Sequence, residues 1–198
     1  MKVVAANPDQ FEAAIKLMTH CFIDDPVCRY LYPSTSQYLK FFPEYVRIYG
    51  EKGAERGGAH ICGDRGVALW VPPDVHPDEE ALDALLECSV AHDAKAELLD
   101  VYSEFDRAHP SEPHWFLPLM GVDPFMKKRG IGAALMTHGL NMCDQDGTIA
   151  YLESTKPENV PFYQRFGFKP HYTIDVGGHP KVITMVRPAK KANPRGED

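Results

Sequence analysis

Met120-Gly121-Val122-Asp123-Pro124-Phe125-Met126-Lys127-Lys128-Arg129-Gly130-Ile131-Gly132-Ala133-Ala134-Leu135 runs from an apolar strand, through a short loop with three consecutive bases, into a helix opened by two glycines. Ile131, Leu135 and Met142 fall on one side of that helix at helical spacing. A helix start offers backbone N–H groups with no partner inside the helix, together with the positive end of the dipole, and so holds anions. Gly130 and Gly132 carry no side chain to keep a phosphate off that backbone, and Lys127, Lys128 and Arg129 add charge where a diphosphate would sit. A P-loop would need Gly-x-x-x-x-Gly-Lys followed by Ser or Thr, and the chain has none. A dinucleotide fingerprint would need glycine where Leu135 stands, and would belong to an opening strand–helix unit rather than to this late position. Short glycine patterns at helix starts also serve packing and capping, so the diphosphate reading needs a second observation.

The flanking sequence provides one. A strand is expected at 114–122 ahead of the loop, a helix at about 130–144, a second strand at 149–154 (Ile149-Ala150-Tyr151-Leu152-Glu153-Ser154), and a short helix at 158–165. Thr155-Lys156-Pro157-Glu158-Asn159-Val160-Pro161-Phe162-Tyr163-Gln164-Arg165-Phe166-Gly167-Phe168 follows the second strand. Upstream, Lys2–Ala5 reads as a short strand, and Phe11, Ala14, Ile15, Met18 and Phe22 mark a helix that ends near Asp24-Asp25-Pro26, because proline disfavours helix in the residue before it. Tyr38, Phe41, Phe42, Tyr45 and Ile48 form the apolar side of a helix over 36–49. Ala59–Cys62 and Gly66–Val71 are two short strands turning at Gly63-Asp64-Arg65-Gly66, and 78–106 is helical in two pieces. Closing strands are expected near 171–176 and 182–187, with a frayed tail over 189–198. The order is mixed α/β, and residues 1–188 suffice for a single domain.

Bulk properties narrow the function. The 198 residues carry a net charge of −7, which argues against a general nucleic-acid binder. The charge is uneven: eleven acids and one base, Lys95, give segment 74–106 a charge of −10 and leave +3 for the rest. Asp93, Glu97, Asp100 and Glu104 recur at helical spacing, either as a solvated face or as the border of a pocket for a cationic acceptor. The five cysteines are scattered, with no Cys-x-x-Cys pair and no His cluster at metal-ligand spacing, so neither a disulfide framework nor a metal is expected. No apolar run is long enough to span a bilayer and the first residues do not read as a secretory leader. A cytoplasmic protein without membrane or nucleic-acid partners, monomeric or homodimeric, is expected.

Residues 114–168 resemble the GCN5-related N-acetyltransferases (GNAT). That family pairs an Arg/Gln-x-x-Gly-x-Gly/Ala loop with a downstream strand, an Asn, a helix bearing Tyr and a Gly-Phe close; here Lys127-x-x-Gly130-x-Gly132, Asn159, Tyr163 and Gly167-Phe168 stand in that order. The run from Leu152-Glu153-Ser154 through Phe162-Tyr163 is similar to the group containing the puromycin N-acetyltransferases. Lys127 departs from the usual Arg or Gln, keeping a charge and a donor but losing planar multi-donor geometry. The resemblance implies an α/β (α+β) fold with a mixed, mostly antiparallel sheet, splayed between its fourth strand (114–122) and fifth (149–154), flanked by helices. It also implies acetyl-CoA as cosubstrate, its pantetheine arm lying in the splay against Gly121 and Val122. The pyrophosphate would lie on the amides from Lys128 through Arg129, Gly130, Ile131 and Gly132 to Ala133. Pro118 suits a strand with a free or bulged edge, since proline donates nothing to a ladder.

The implied reaction is attack of a neutral primary amine, that of a small-molecule acceptor, on the thioester carbonyl. Tyr163 is assigned as the acid that protonates the leaving thiolate, or else as packing against Phe162 and Phe166. Glu153 is assigned as the base, or else as a carboxylate that orients a donor; His114 and Asp25 are the next choices. Asn159 either touches the cofactor arm or caps a helix. Asp25, Tyr30, Tyr32 and Trp70 lie in segments expected to face the acceptor. A catalytically silent acetyl-CoA-binding module and a protein or peptide N-acetyltransferase are the competing readings.

Overall fold

A computed structural model describes residues 1–190. The expected frayed tail therefore lies, from residue 191 onward, outside the described residues, as do the side chains of His92 and Asp93.

Capping residues set where the helices begin. The Asn7 side chain accepts from the Gln10 amide and the Asn7 amide donates to the Gln10 side chain in return, opening α1 (Pro8–Cys21), and Ser34 and Gln37 make the same reciprocal box at the start of α3 (Thr35–Glu55). α1 closes at Cys21, ahead of the expected end near Asp24-Asp25-Pro26, and Pro26 instead begins another helix: α2 (Pro26–Leu31) has proline at its first position and Asp25 as its cap. α3 runs six residues past the expected end at 49. Gly53 is there because the helix lies directly on a strand: a Cβ at Gly53 would fall 2.4 Å from the Trp70 carbonyl oxygen.

The strands are β1 (Val4–Ala5), β2 (Ala59–Ile61), β3 (Gly66–Val71), β4 (His114–Val122), β5 (Ile149–Ser154), β6 (Lys169–Ile174) and β7 (Val182–Arg187). They form one seven-stranded sheet in the order β1-β2-β3-β4-β5-β7-β6. Every neighbouring pair is antiparallel except β4–β5. That parallel pairing extends only from His114↔Ile149 to Leu117↔Leu152. Pro118 is the next residue on β4, and beyond it the two strands part, as the expected splay requires.

Alternation along the strands builds a core on each side of the sheet. Val67, Leu69 and Leu119 pack with α1, α2 and α3, and also with α4 (Glu79–Ser89) and α5 (His92–Ala108). Ala68, Trp70, Leu117 and Leu152 pack under α6 (Ile131–Asp146) with Leu135, Met136 and Leu140. The short α7 (Val160–Gln164) and β6 are tied in by Arg187, 3% exposed at its side chain, whose guanidinium grips Asp144 through two bonds of 2.8 and 2.9 Å. The Arg187 Nε donates to the Phe166 carbonyl at 2.9 Å, fixing the Phe166-Gly167-Phe168 turn. Hydrogen bonds from Arg187 hold the Asp144 carboxyl below its usual range. No helix among the described residues is long and apolar enough to cross a membrane.

Helix propensity alone favours Gly53→Ala by about 1 kcal/mol. The contact with a backbone carbonyl outweighs it, and we expect the variant to lose about 1–3 kcal/mol in urea unfolding; a more stable variant would contradict the close α3–β3 approach.

Candidate active site

The loop between β4 and α6 is shaped by local bonds. Asp123 accepts from the Phe125 amide at 2.8 Å and its own amide reaches the Arg65 carbonyl at 2.9 Å. Lys128 and Gly130 both have left-handed backbones, with φ of 62° and 81°. For a lysine that conformation costs roughly 1–2 kcal/mol, whereas glycine adopts it freely. The turn delivers Gly130 as the N-cap of α6 with no side chain to cap it. Among the described residues, none accepts from the amides of Ile131, Gly132 or Ala133. A Cβ at Gly132 would meet Phe162 at 3.5 Å and Val122 at 3.6 Å, ordinary contact. Protein packing therefore does not demand glycine here, and the first turn stays open toward a cavity.

That cavity measures about 1460 Å³ and passes through the β4–β5 splay. One end is bordered by Gly121, Val122, Lys127, Lys128 and the turn from Gly130 through Ile131 and Gly132 to Ala133, facing Asn159, Phe162, Tyr163 and Arg165. The other end lies between α3, α5 and the chain after β3, with Tyr45, Tyr49, Tyr102, His76, His109 and Glu153. Its bases, Lys127, Lys128, Lys156 and Arg165, line the first end together with the acids Asp25 and Glu158; Glu79, Asp83, Asp106 and Glu153 belong to the second. Linear pyrophosphate-bearing cofactors fit such a slot: unpaired amides and lysines at one end, a gap between strands in the middle, a separate chamber beyond.

Asp25 joins the N-terminal helices to the β5 side of the cavity. It is 2% exposed, accepts from the amides of Val27 and Cys28 at 3.0 and 3.4 Å, and receives the Thr155 hydroxyl at 2.6 Å. Lys156 Nζ stands 3.7 Å from the same carboxylate. Asp25 therefore reaches the cavity wall, but its oxygens are engaged by protein. Asn159 occupies the N-cap position of α7 yet makes no capping bond, which leaves its amide for the cavity it lines. Tyr163 lines the cavity with no hydrogen bond from its hydroxyl among the described residues, its ring edge-on to Phe162 and Phe168. Burial, reinforced by the nearby Asp25 charge, pushes its phenol up to about 12, so it carries its proton at neutral pH.

Strand alternation puts Tyr151 and Glu153 together on the α3–α5 side of β5. The Tyr151 hydroxyl donates to Glu153 Oε1 at 3.0 Å, and His109 Nδ1 lies 3.7 Å from the same oxygen. Burial raises the Glu153 carboxyl to about 8, against the smaller opposing effect of the Tyr151 bond. His114, the alternative base, also lines the chamber, but its Nδ1 is 2.8 Å from the Glu112 carbonyl oxygen.

Four expected contacts fall elsewhere, the first being Tyr32, which is fully buried in the core and outside the lining. Trp70 does not line the cavity: it points to the α6 face of β3, 1% exposed, its indole pressed against Gly139. The chamber around Glu153 is on the opposite face, so Trp70 is a core residue. Tyr30 lies outside the lining and donates to Glu97 at 2.8 Å. Arg129 is exposed and is absent from the wall that Lys127 and Lys128 help form. The acidic stripe of α5 serves neither expected purpose alone: Glu97 also takes the Gly178 amide at 2.8 Å, and Glu104 takes the Tyr172 hydroxyl at 2.7 Å, tying α5 to β6 and the turn after it. His109, Tyr49 and Arg165 were not singled out by sequence. Arg165 has a signal, three residues after Phe162 on the same helical side; His109 has none, because the end of α5 meets β5 only in the fold.

Residues 84–168 match the family model described as the acetyltransferase (GNAT) family. An uncharacterized N-acetyltransferase of Schizosaccharomyces pombe is 28% identical over 181 residues, covering 80% of this chain and 70% of that protein. A Corynebacterium glutamicum structure described as histone acetyltransferase HPA2 and related acetyltransferase superposes with a TM-score of 0.64 at 23% identity, over 98% of both chains. The Drosophila melanogaster polyamine N-acetyltransferase, which forms N-acetylagmatine, gives 0.64 at 16% identity over 94% of this chain and 99% of its own. Residues 84–168 are thus similar to the acetyltransferase (GNAT) family, and the fold of the chain is similar to that of these solved acetyltransferases.

Proposed function

We propose that this protein transfers an acetyl group from acetyl-CoA to the primary amine of a small molecule by direct attack on the thioester. The carrying observation is that the unpaired amides of Ile131, Gly132 and Ala133 open into the same cavity as Tyr163 and Glu153. The pyrophosphate would rest on those amides beside Lys127 and Lys128, and the pantetheine arm would take the place of a strand along the free edge of β4 at Gly121 and Val122. Asn159 would hold that arm. The acetyl carbonyl would then enter the gap between the cradle and the chamber.

An amine arrives as an ammonium ion and must lose a proton before it attacks. Glu153 is placed to take it when ionised, and the chamber's acids favour a cationic amine over an anionic acceptor. As the C–N bond forms and the C–S bond breaks, Tyr163 gives its proton to the departing sulfur, and the second proton lost by nitrogen restores the phenol through solvent in the cavity. Overall one proton goes to solvent and one remains on the coenzyme thiol. Two similar structures carry amine acceptors in their descriptions, the fly polyamine enzyme and an agmatine N-acetyltransferase, which supports a small amine. Tyr163 and Glu153 both facing the cavity favour turnover over a silent acetyl-CoA-binding module. The direct test is a panel of amines with acetyl-CoA, following thiol release; no turnover with any primary amine, despite acetyl-CoA binding, would leave the silent module.

Tyr163→Phe is expected to lower kcat by at least about tenfold while calorimetry shows acetyl-CoA affinity little changed; equal kcat would remove the acid role. Because a first carbon at Gly132 has room, Gly132→Val should fold normally yet bind acetyl-CoA at least about tenfold more weakly, or about 1.4 kcal/mol; unaltered binding would move the pyrophosphate elsewhere.

The raised Glu153 carboxyl makes a pH prediction with a definite sign. Ionisation of Glu153 near pH 8 gives kcat/KM a rising limb toward that pH, and Glu153→Gln removes this limb, leaving only that of the amine. Stability moves oppositely. A carboxyl whose folded value lies above its unfolded one is bound to a proton more tightly in the folded state, so its favourable contribution is full below about 4.5 and is lost as pH rises through about 8. Glu153→Gln should therefore raise the melting temperature above pH 8 more than at pH 5, read by calorimetry at both.

A further inference from the structure

We propose that Tyr151 is a positioning residue for Glu153: its hydroxyl engages Oε1 from inside the fold and leaves Oε2 as the atom that takes the proton of the acceptor amine. The proposal rests on the assignment of Glu153 as base. A glutamate side chain turns about several bonds and ends in two equivalent oxygens, so a base made from one needs something to fix which oxygen meets the substrate. Residues two apart on a strand share a face, and Tyr151 stands two before Glu153 on β5. Its hydroxyl donates to Oε1 at 3.0 Å, and His109 Nδ1 stands 3.7 Å from the same oxygen. Among the described residues no donor reaches Oε2. Glu153 lines the cavity, whereas Tyr151 is fully buried and takes no part in the wall. The bond therefore comes from behind the carboxyl.

Tyr151 can hold this post because it belongs to the part of the sheet that stays closed. It pairs with Phe116 on β4 and with Val186 on β7. The β4–β5 ladder ends one residue later, at Leu152, so Glu153 is the first β5 residue past it, with only Thr184 of β7 opposite. The Tyr151 ring lies against His109, Phe116 and His114, at 4.5, 5.5 and 5.5 Å between centroids. A carboxyl at the opened edge of the slot is thus fixed by a side chain from the closed sheet.

The groups around the carboxyl make this bond matter for its charge. Glu153 faces Tyr151 on β5, His109 after α5, Tyr49 on α3 and Tyr102 on α5, while β7 presents the uncharged Thr184, which also reaches the Tyr151 phenol. None of these is a lysine or arginine, so the Tyr151 hydroxyl is the donor that favours the ionised form against burial. Burial, and then the Glu153 charge, hold the phenol itself far above its ordinary range, so it donates without giving up its proton. In the transfer an amine N–H bond breaks and an O–H bond forms at Oε2. That proton then leaves through the cavity to solvent, and the Tyr151 O–H bond stays intact throughout.

Tyr151→Phe tests this in the full chain, removing one hydroxyl and keeping the ring. The readout is a carbon NMR titration of the Glu153 carboxyl in protein labelled at glutamate, its resonance identified by its loss in Glu153→Gln. The midpoint near pH 8 should rise by at least about one pH unit. The rising limb of kcat/KM for the best amine of the panel should move with it, a fall of about tenfold at pH 7 that narrows as pH is raised, with KM for acetyl-CoA unchanged. Replacing Tyr151 by a ring-fluorinated tyrosine, a stronger donor of nearly the same size, should move midpoint and limb the other way. Adding Tyr151→Phe to Glu153→Gln should cost little further activity. An unmoved midpoint in Tyr151→Phe would overturn the proposal, as would a loss of activity equal at every pH that follows a lowered melting temperature. Full activity in Glu153→Gln would instead remove the base assignment beneath it, while the NMR midpoint still reports the bond between Tyr151 and Glu153.

Discussion

The structure depends on where β4 and β5 stop pairing. Four residue pairs hold the two strands in parallel, and Pro118 then follows on β4 without an N–H to continue. Neither strand loses its place when they part, because β3 still pairs with β4 up to Val122 and β7 still pairs with β5 to Ser154. The sheet is thus opened at its centre without being divided. The fixed outer partners turn an interrupted ladder into a slot rather than a frayed edge.

Two other devices shape the cradle end of the slot. On one side, the left-handed turn through Lys128 and Gly130 delivers the first amides of α6 to the opening. Facing it, Asp25 secures the chain after β5 through Thr155 and Lys156 while capping α2, tying the N-terminal helices to the chain that leads to Tyr163. The bases gather near the cradle, with Asp25 and Glu158 among them, and the chamber's charged side chains are the acids Glu79, Asp83, Asp106 and Glu153.

The strands at 114–122 and 149–154 were legible to the residue, since each is a compact apolar run bounded by turn-forming sequence. The start of α6 was legible too, because glycine and clustered bases mark a helix N-terminus by local chemistry. α3 was underestimated because Gly53 looks the same in sequence whether it ends a helix or lets one lie against a strand. Trp70 shows a different limit. Its alternation with Leu69 says that the two face opposite ways, yet nothing in β3 says which way the chamber lies; α3, far earlier in the chain, supplies that wall.

The sequence by itself determined the elements, the uncapped glycine start of α6, and the family resemblance carried by Asn159, Tyr163 and Gly167-Phe168, because each depends on residues close together in the chain. Only the tertiary structure decided that Trp70 is core, that Asp25 is held by Thr155 and Lys156, and that His109 meets Glu153 forty-four residues on. Those facts depend on which sheet face each helix covers and on how far two strands diverge, and such distances are fixed by packing across the whole domain rather than by any local pattern.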